Sequence, residues 1–265
     1  MRIEQPRMMR IERVVDEARD LKSFVFHHDL GAKPGQFVIA WIPGVDEKPF
    51  GVAFQSKNKF AITVSAVGSF TKQMHKLKAG DYIGIRGPYG NGFNIKGKHI
   101  VLVAGGYGAA PLAFLADEAA KKNIHVDFIV GARTKALLPY IERMRMAGIT
   151  THACTDDGSL GVKGFTTDVL KRLLDEGDVD MVYTCGPEIM MKFVIKLCDE
   201  HYVGCEISLE RILKCSIGVC GSCCLDPTGW RVCKEGPVFT GEQIKKVTEF
   251  NQYKRDFSGR KIKLN

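Results

Sequence analysis

The first third of the chain alternates short apolar runs with polar or glycine-rich breaks. The runs are rich in β-branched and aromatic residues and occupy positions 24–26, 36–42, 51–54, 60–64 and 81–85. Runs of this composition are typical of strands, and about five or six strands at such spacing predict a small antiparallel β-barrel over residues 1–95. One helical segment, at 70–77, interrupts them, and Thr71 can cap its start.

The pattern changes at Lys98, where continuous apolar runs begin to alternate with helical segments. The run at 99–104 is typical of a strand that is buried on both faces. Further strands are predicted at 125–130, 149–153 and 180–184, and helices at 113–120, 137–146, 166–174 and 189–199. This alternation predicts a doubly wound parallel sheet, and hence an α/β domain over residues 96–203.

Two loops of the α/β segment follow strands and contain residue types that hold a dinucleotide. A strand, a glycine-rich turn and a helix in this order form a phosphate cradle, although the full G-x-G-x-x-G pattern is absent. Both loops should lie at the carboxyl ends of parallel strands, where such sheets bind ligands. The candidate nucleotide-binding residues are Gly106, Gly108, Pro111, Cys185, Gly186 and Pro187. No histidine or asparagine is placed to activate Cys185, so its thiol is interpreted as lining the nicotinamide pocket rather than as a nucleophile.

The last part of the chain contains the most specific motif, C-x4-C-x2-C-x9-C, formed by Cys215, Cys220, Cys223 and Cys233. The first three cysteines have the plant-type spacing of a [2Fe–2S] cluster. A turn signal at 226–229 would return the fourth cysteine to the other three. The sequence therefore predicts a small iron–sulfur module with a basic tail over residues 204–265.

The cysteines allow two other interpretations, and the choice of the third ligand is ambiguous. Zinc sites usually contain paired C-x2-C spacings, which the longer first gap does not match. Disulfides are not expected, because the N-terminus has charges and no apolar signal segment, and this predicts a cytoplasmic protein. Cys224 competes with Cys223 as the third ligand. Neighbouring side chains of an extended segment point to opposite faces, so only one of the two can ligate, and the spacing favours Cys223.

Composition and charge argue against several functions. The net charge of +8 is spread along the chain among acidic residues, so nucleic-acid binding is not expected, and anionic cofactors would offset part of it. No run approaches about eighteen apolar residues, so no membrane span is expected. The sequence contains no spaced carboxylate pair and no Ser/His/Asp set. We therefore predict no catalytic side chain and assign the chemistry to cofactors.

Together these motifs resemble a known family. The segments "KPFGVAF", "GPYGNGF", "AGGYGAAPL" and "TCGPEIMMK" resemble the ferredoxin–NADP reductase superfamily along residues 1 to about 200. The segment "ERILKCSIGVCGSCCLDPTGWRVCKEGPVFTG" is similar to the iron–sulfur tail of dihydroorotate dehydrogenase electron transfer subunits. The resemblance implies FAD on the barrel, a [2Fe–2S] cluster on the four cysteines, and NAD over 106–111, 131–134 and 185–188.

The resemblance also implies which barrel residues hold the flavin. The family's R-P-x-S motif maps to Lys48, Pro49, Phe50 and Gly51, and its Gly-x-Gly-Thr motif to Gly68, Ser69, Phe70 and Thr71, while the strand Thr63, Val64 and Ser65 would line the flavin. The sequence departs from these motifs at three positions. Lysine replaces an arginine that grips phosphate with two bonds, Gly51 replaces a serine that touches the flavin, and Phe70 replaces a glycine.

The function implied by the resemblance is an electron relay in pyrimidine biosynthesis. Dihydroorotate is oxidised on a separate catalytic subunit that contains FMN, and electrons pass through the cluster to FAD and then to NAD. The resemblance implies a heterotetramer of two such subunits with two catalytic ones. Two alternatives stay open: an NAD(P)H-oxidising subunit of a cytoplasmic hydrogenase or a ferredoxin:NADP reductase complex, and a non-enzymatic iron–sulfur scaffold or sensor. The choice between NAD and NADP is open as well.

Overall fold

Six strands of the first third close into a barrel in the computed structural model, which describes residues 5–264. Every neighbouring pair is antiparallel, and the strands lie in the order β1–β2–β5–β4–β3–β6, with β6 pairing back onto β1. The predicted antiparallel barrel is therefore confirmed. Its elements are β1 (Arg7–Ala18), β2 (Leu21–Phe26), β3 (Phe37–Ile42), β4 (Asp46–Gln55), β5 (Phe60–Ser65), the helix α1 (Ser69–Met74) and β6 (Tyr82–Tyr89).

Strand β1 was missed by the sequence pattern, for a physical reason. Six of its twelve residues are charged, and Ile11 is its one fully buried side chain. A strand that fully buries a single side chain and only partly buries Met9 and Val14 shows little hydrophobic alternation. Its place is set instead by backbone pairing with β2 on one side and β6 on the other.

A mixed α/β unit follows the barrel and forms a parallel sheet. The strands lie in the order β10–β9–β8–β7–β11–β12, so the chain moves outward from β7 in one direction and then returns to add β11 and β12 on the other side. The prediction of a doubly wound sheet is confirmed. Its elements are β7 (His99–Gly105), α2 (Ala109–Ala120), β8 (His125–Ala132), α3 (Ile141–Met146), β9 (Thr150–Thr155), β10 (Val162–Lys163), α4 (Thr166–Glu176), β11 (Met181–Cys185), α5 (Glu188–Glu200) and β12 (Gly204–Ser208).

Helices cover both faces of this sheet, which explains its apolar strands. Residues from α2 and α3 pack on one face, and residues from α4 and α5 pack on the other. Five consecutive residues of β7, from Ile100 to Ala104, are consequently fully buried. The longest helix, α5, has 13 residues, and no helix within 5–264 is long and apolar enough to cross a membrane.

The C-terminal region adds a further strand to the same sheet. Strand β13 (Val238–Thr240) pairs antiparallel with β12 and becomes the seventh strand. A short helix, α6 (Gly241–Ile244), and a hairpin of β14 (Tyr253–Arg255) and β15 (Lys261–Lys263) follow it. The predicted boundary between 96–203 and 204–265 therefore passes through one continuous sheet, and the division into domains stays a prediction.

Candidate redox cofactor site

Two glycine-containing loops touch each other at the carboxyl ends of β7 and β11. The strand order reverses between these adjacent strands, because the chain adds β8, β9 and β10 on one side of β7 and β11 on the other. Open α/β sheets bind ligands at such a point. A Cβ atom on Gly108 would lie 2.4 Å from the carbonyl oxygen of Cys185, and one on Gly186 would lie 2.9 Å from Cα of Gly105. The structure thus brings the two predicted nucleotide loops together, and only glycine permits this approach.

The thiol of Cys185 is buried between these loops. Its exposed fraction is 2%, and burial, followed by the charge of Glu210, raises its pKa far above the ordinary value. A nucleophilic cysteine needs a lowered pKa and access to its substrate. The structure therefore favours the interpretation that Cys185 lines a pocket as a neutral group.

The barrel motif approaches the same place from the other side. A Cβ atom on Gly51 would lie 3.8 Å from Pro111, so strand β4 meets the first turn of α2 directly. Phe50, the neighbour of Gly51, stacks on Phe70 with 6.1 Å between the ring centroids. Phe70 is buried in the barrel core. The phenylalanine that replaces a family glycine thus fills space beside the flavin motif.

Lys48 is already engaged by neighbouring residues. Its ammonium group binds the carboxylate of Asp46 and lies over the ring of Phe257, 4.9 Å from the centroid. Phe257 belongs to the loop between β14 and β15. A phosphate bound by Lys48 would therefore compete with Asp46 for the ammonium group.

The remaining residues that are predicted to contact the flavin differ in their exposure to solvent and in their hydrogen bonds. Val64 is fully buried in the barrel core. The hydroxyl of Thr63 lies 2.7 Å from Oγ of Ser23 and 2.5 Å from the hydroxyl of Tyr140, so it joins the barrel to the α/β unit. Ser65 is the partly exposed member of the three. Contact of these residues with a flavin stays a prediction.

Thr71 acts at the start of α1, but not as its capping residue. The capping position is Gly68, and Thr71 lies three residues inside the helix. The hydroxyl of Thr71 accepts a hydrogen bond from the Gly68 N–H at 2.9 Å. The helix has only six residues, shorter than the predicted 70–77 segment.

The cysteine loop is built to hold thiolates. The sulfur of Cys215 accepts hydrogen bonds from the N–H groups of Val219 and Cys220, both at 3.4 Å. Although burial opposes ionisation, these bonds and one from the Ile217 N–H lower the pKa of Cys215 to about 6. A thiolate is the form that binds iron, so this loop fits the cluster.

The other cysteines complete two pairs. The sulfur of Cys223 accepts the N–H of Cys233 at 3.5 Å, and its hydrogen bond with the Cys233 thiol lowers the pKa of Cys223 to about 7. The Cys220 N–H donates to the sulfur of Cys215 at 3.4 Å, which links these two cysteines as a second pair. Two pairs suit a cluster in which each of two irons takes two thiolates, whereas a single tetrahedral zinc ion would hold all four alike.

Cys224 has a different environment from its neighbour. Burial, followed by the charge of Cys223, raises the pKa of its thiol, whereas the pKa of Cys223 is lowered. The turn predicted at 226–229 is present, and the Val232 N–H donates to the Cys223 carbonyl at 3.1 Å, which returns Cys233 to the loop. These contacts support Cys223 as the ligand that the spacing favours.

The cysteine loop is fixed directly to the barrel. The guanidinium group of Arg86 in β6 donates to the carbonyl oxygen of Cys215 at 3.2 Å and forms an ion pair with Glu47 at 2.6 Å. The Asn91 N–H donates to the Gly236 carbonyl at 2.6 Å. The loop therefore has a defined position beside β4, the strand with the flavin motif.

A buried ion network joins the cysteine loop to the nucleotide loop. Arg211 lies just before the cysteine motif and contacts Glu188 at 2.5 Å and Glu249 at 2.8 Å. Glu188 is the first residue of α5, directly after the Cys185–Pro187 loop. The exposed fractions of the Arg211 and Glu249 side chains are 6% and 1%.

Sequence reasoning missed one polar pair between these loops. The hydroxyl of Tyr107 donates to Glu210 at 3.1 Å, and the charge of Glu210 raises the pKa of Tyr107. Glu210 is accessible to solvent, yet neighbouring protein atoms raise the pKa of its carboxyl group. The two residues are 103 positions apart, and no local pattern connects them.

Family models match two parts of the chain. Residues 210–245 match the iron–sulfur cluster binding domain of dihydroorotate dehydrogenase B. Residues 102–196 match the oxidoreductase NAD-binding domain. The two matches contain all four predicted cluster cysteines and both glycine-containing loops.

One solved structure is similar over nearly the whole chain. The structure of an NADH-dependent reduced ferredoxin–NADP oxidoreductase matches with a TM-score of 0.81 and 29% identity, and it covers 93% of this chain and 95% of that one. Phthalate dioxygenase reductase, at 18% identity and a TM-score of 0.58 over 73% of this chain and 64% of its own, shows a shared fold.

Curated relatives are similar from end to end. A probable dihydroorotate dehydrogenase B (NAD(+)) electron transfer subunit of Methanocaldococcus jannaschii is 49% identical, over 98% of this chain and 99% of the relative. The protein of the same name from Pyrococcus furiosus is 46% identical over 96% of this chain and 98% of the relative. The chain therefore belongs to the family of dihydroorotate dehydrogenase B electron transfer subunits, oxidoreductases with an iron–sulfur cluster binding domain and an NAD-binding domain.

Proposed function

We propose that this chain passes electrons from a dihydroorotate dehydrogenase catalytic subunit through its cysteine loop and barrel to NAD, as part of pyrimidine biosynthesis. One observation carries the proposal. The cysteine loop is fixed at once to the barrel, through Arg86 and Cys215, and to the nucleotide loop, through Arg211 and Glu188. Three cofactor regions that merely followed one another in the sequence thus have fixed relative positions.

The cofactors are a [2Fe–2S] cluster, FAD and NAD, and they supply the one-electron and hydride chemistry when bound. The protein contributes position and environment. Backbone donors lower the pKa of Cys215, and the Cys233 thiol, followed by the Cys233 N–H, lowers the pKa of Cys223, which favours the thiolates that bind iron. Gly108 and Gly186 let two loops approach closely enough to cradle a dinucleotide, and the buried, neutral thiol of Cys185 lines that site without adding charge.

The barrel contributes the flavin site. Strand β4 places Gly51 opposite Pro111 at the start of α2, and its neighbour Phe50 stacks on Phe70. Lys48 supplies a positive charge for a diphosphate after release from Asp46. Because lysine is a point charge rather than a planar fork, we propose that FAD is held less tightly here than by family members with arginine.

The protein works with a catalytic partner subunit. We propose that this partner contains FMN and that two copies of each subunit form a heterotetramer. The side chain of Val219 and the thiol of Cys220 are exposed at the tip of the cysteine loop, so electrons can enter there. We also propose a cytoplasmic location, since unpaired cysteines that bind iron need a reducing compartment.

The test is a visible absorption spectrum of the anaerobically purified complex of this chain with its candidate catalytic subunit. We expect dihydroorotate to bleach the flavin and cluster bands, and added NAD to yield NADH. Cys223→Ser should remove the cluster bands, while the matched variant Cys224→Ser should retain them. Retention of the cluster in both variants, or its loss in both, would contradict the assignment of the third ligand.

A second function is favoured by one comparison, the similarity to an NADH-dependent reduced ferredoxin–NADP oxidoreductase. If dihydroorotate leaves the bands unchanged while NADH or NADPH bleaches them, the partner assignment is wrong and ferredoxin becomes the next donor to test. A protein that binds a cluster but neither flavin nor NADH, even with its partner present, would instead be an iron–sulfur scaffold.

A further inference from the structure

Three histidines and one aspartate meet near the starting ends of strands β7, β8 and β9, at the opposite end of the strands from the cofactor loops. His99 and His125 are the first residues of β7 and β8, Asp127 is the third residue of β8, and His152 lies in β9. Neighbouring parallel strands bring them together, with His99 paired to His125 in the sheet register. None of them takes part in the relay described above.

This group of four side chains, the histidine–aspartate site, is centred on a buried carboxylate. The side chain of Asp127 is only 5% exposed, with His99 Nε2 at 2.7 Å from Oδ2 and His152 Nε2 at 2.6 Å from Oδ1. His125 Nε2 lies 3.9 Å from Oδ2, and its ring stacks on that of His99 with 4.3 Å between centroids. The ligand atoms of His99, His125 and Asp127 all lie within 4.8 Å of one another.

The hydrogen bonds of His99 restrict its protonation. Its Nδ1 lies 3.0 Å from the carbonyl oxygen of Asp178, and a carbonyl can only accept, so Nδ1 carries a hydrogen. In the neutral ring, Nε2 then has a lone pair that faces the oxygen of Asp127. Two acceptors at that distance need a proton between them, on the ring or on the carboxyl group, or a metal ion that takes the place of that proton.

We propose that His99, His125 and Asp127 bind a divalent transition metal ion, with zinc as the best match. Imidazole nitrogen and carboxylate oxygen are ordinary zinc ligands, whereas magnesium and calcium prefer oxygen alone. The Nδ1–H of His99 on a backbone carbonyl is the outer contact that orients a metal-bound histidine. His152 holds the second oxygen of Asp127 in the same way.

Zinc binding requires the side chains to adjust. Ligand atoms about 2.0–2.2 Å from a tetrahedral zinc ion lie about 3.4 Å from one another. A separation of up to 4.8 Å therefore has to close by up to about 1.4 Å, and the 2.7 Å between His99 Nε2 and Asp127 Oδ2 has to open by about 0.7 Å. His125 has the freedom to do so, because 59% of its side chain is exposed. The ion would tie the starting ends of β7 and β8 together, and water would fill the fourth position.

The experiment is equilibrium dialysis of the cofactor-loaded protein against Zn²⁺, with bound zinc and iron measured by mass spectrometry. We expect one zinc ion per chain in the wild type, and at least a tenfold weaker affinity in His125→Ala. The matched control is His201→Ala, which removes a histidine bound to an aspartate at a distant site and should bind zinc as the wild type does. An unchanged iron content would show that zinc has not replaced iron in the [2Fe–2S] cluster.

Two results would overturn the proposal. One is the absence of zinc binding by the wild type at micromolar concentrations. The histidine–aspartate site would then be a hydrogen-bond network without a metal ion. The other is equal binding by the wild type and His125→Ala, which would place the ion elsewhere. Dialysis against Mg²⁺ should give no binding, and magnesium bound as tightly as zinc would equally contradict a site built on imidazoles.

Discussion

Replacement of Gly108 by alanine tests whether the contact between the two nucleotide loops sets the geometry of hydride transfer. Gly108 has φ −60° and ψ −11°, a conformation that alanine adopts without strain. The new Cβ atom, however, would lie 2.4 Å from the Cys185 carbonyl oxygen and 2.9 Å from the Gly186 nitrogen. The effect of the substitution is therefore steric and local.

The expected magnitude follows from this distance. To reach ordinary van der Waals contact at about 3.4 Å, one loop has to move by about 1 Å relative to the other. The ends of β7 and β11 are held by direct parallel pairing of Ala104 with Cys185, so the shift falls on the loop residues that we propose to position the nicotinamide. A displacement of about 1 Å can lower the rate of a positioned reaction about 100-fold.

The assay is single-turnover reduction of the bound flavin by saturating NADH, followed by stopped-flow absorbance. We expect Gly108→Ala to slow this step about 100-fold, with cluster and flavin contents unchanged. The control is Gly177→Ala, at a position with φ +86° and no atom within 4 Å of the new Cβ. It should lower stability through backbone strain and leave the rate within about twofold. A wild-type rate in Gly108→Ala would refute the reasoning.

Three further predictions concern stability, pH and flavin affinity. Arg211→Met leaves the buried Glu249 and the partly buried Glu188 without their cation, so urea unfolding followed by tryptophan fluorescence should show a loss of about 3–5 kcal/mol. The hydrogen bond that the His201 ring donates to Asp175 raises the pKa of His201 above its usual 6.5. The difference in melting temperature between wild type and His201→Gln should thus be full below pH 6.5 and shrink as the pH rises through the raised pKa. Asp46→Asn should free Lys48 and tighten FAD binding in a fluorescence titration by up to about fivefold.

Each of these predictions has an outcome that would contradict it. For the buried arginine, Lys171→Met removes an exposed helical ion pair, and an equal loss of stability there would show that burial is not the cause. For the histidine, a melting difference that grows between pH 6 and pH 8.5 has the wrong sign. For the flavin site, the same gain in affinity from Asp16→Asn, at a distant exposed ion pair, would point to net charge rather than to the release of Lys48.

The parts of the fold that the sequence predicted are those whose burial leaves a local pattern. Strands β7, β8 and β11 are covered on both faces, so their apolar runs stand out. The two nucleotide loops follow from the rule that parallel sheets bind ligands at carboxyl ends. The cysteine motif was recognised from spacing alone, because one tight loop has to supply three ligands.

The parts that the sequence missed depend on contacts between distant residues. Strand β13 is three residues long, and only its pairing with β12 defines it. The network of Arg211 joins residues 23 and 38 positions away. At the flavin site, the hold of Asp46 on Lys48 and the contact of Phe257 with the same ammonium group required the folded chain. Sequence spacing indicates the kind of site, whereas contacts between distant residues determine which partners the site residues already bind.

The edge strand β13 limits how this gene can be rearranged during evolution or by design. A chain truncated after β12 would lose the three paired positions of β13 and expose a bare sheet edge, and such edges promote aggregation. Grafting the cysteine loop onto another reductase would create the same liability unless β12 and β13 travelled with it. The exchangeable unit is therefore the loop together with its strand pair, and inheritance of the iron–sulfur segment is tied to that of the nucleotide-binding sheet.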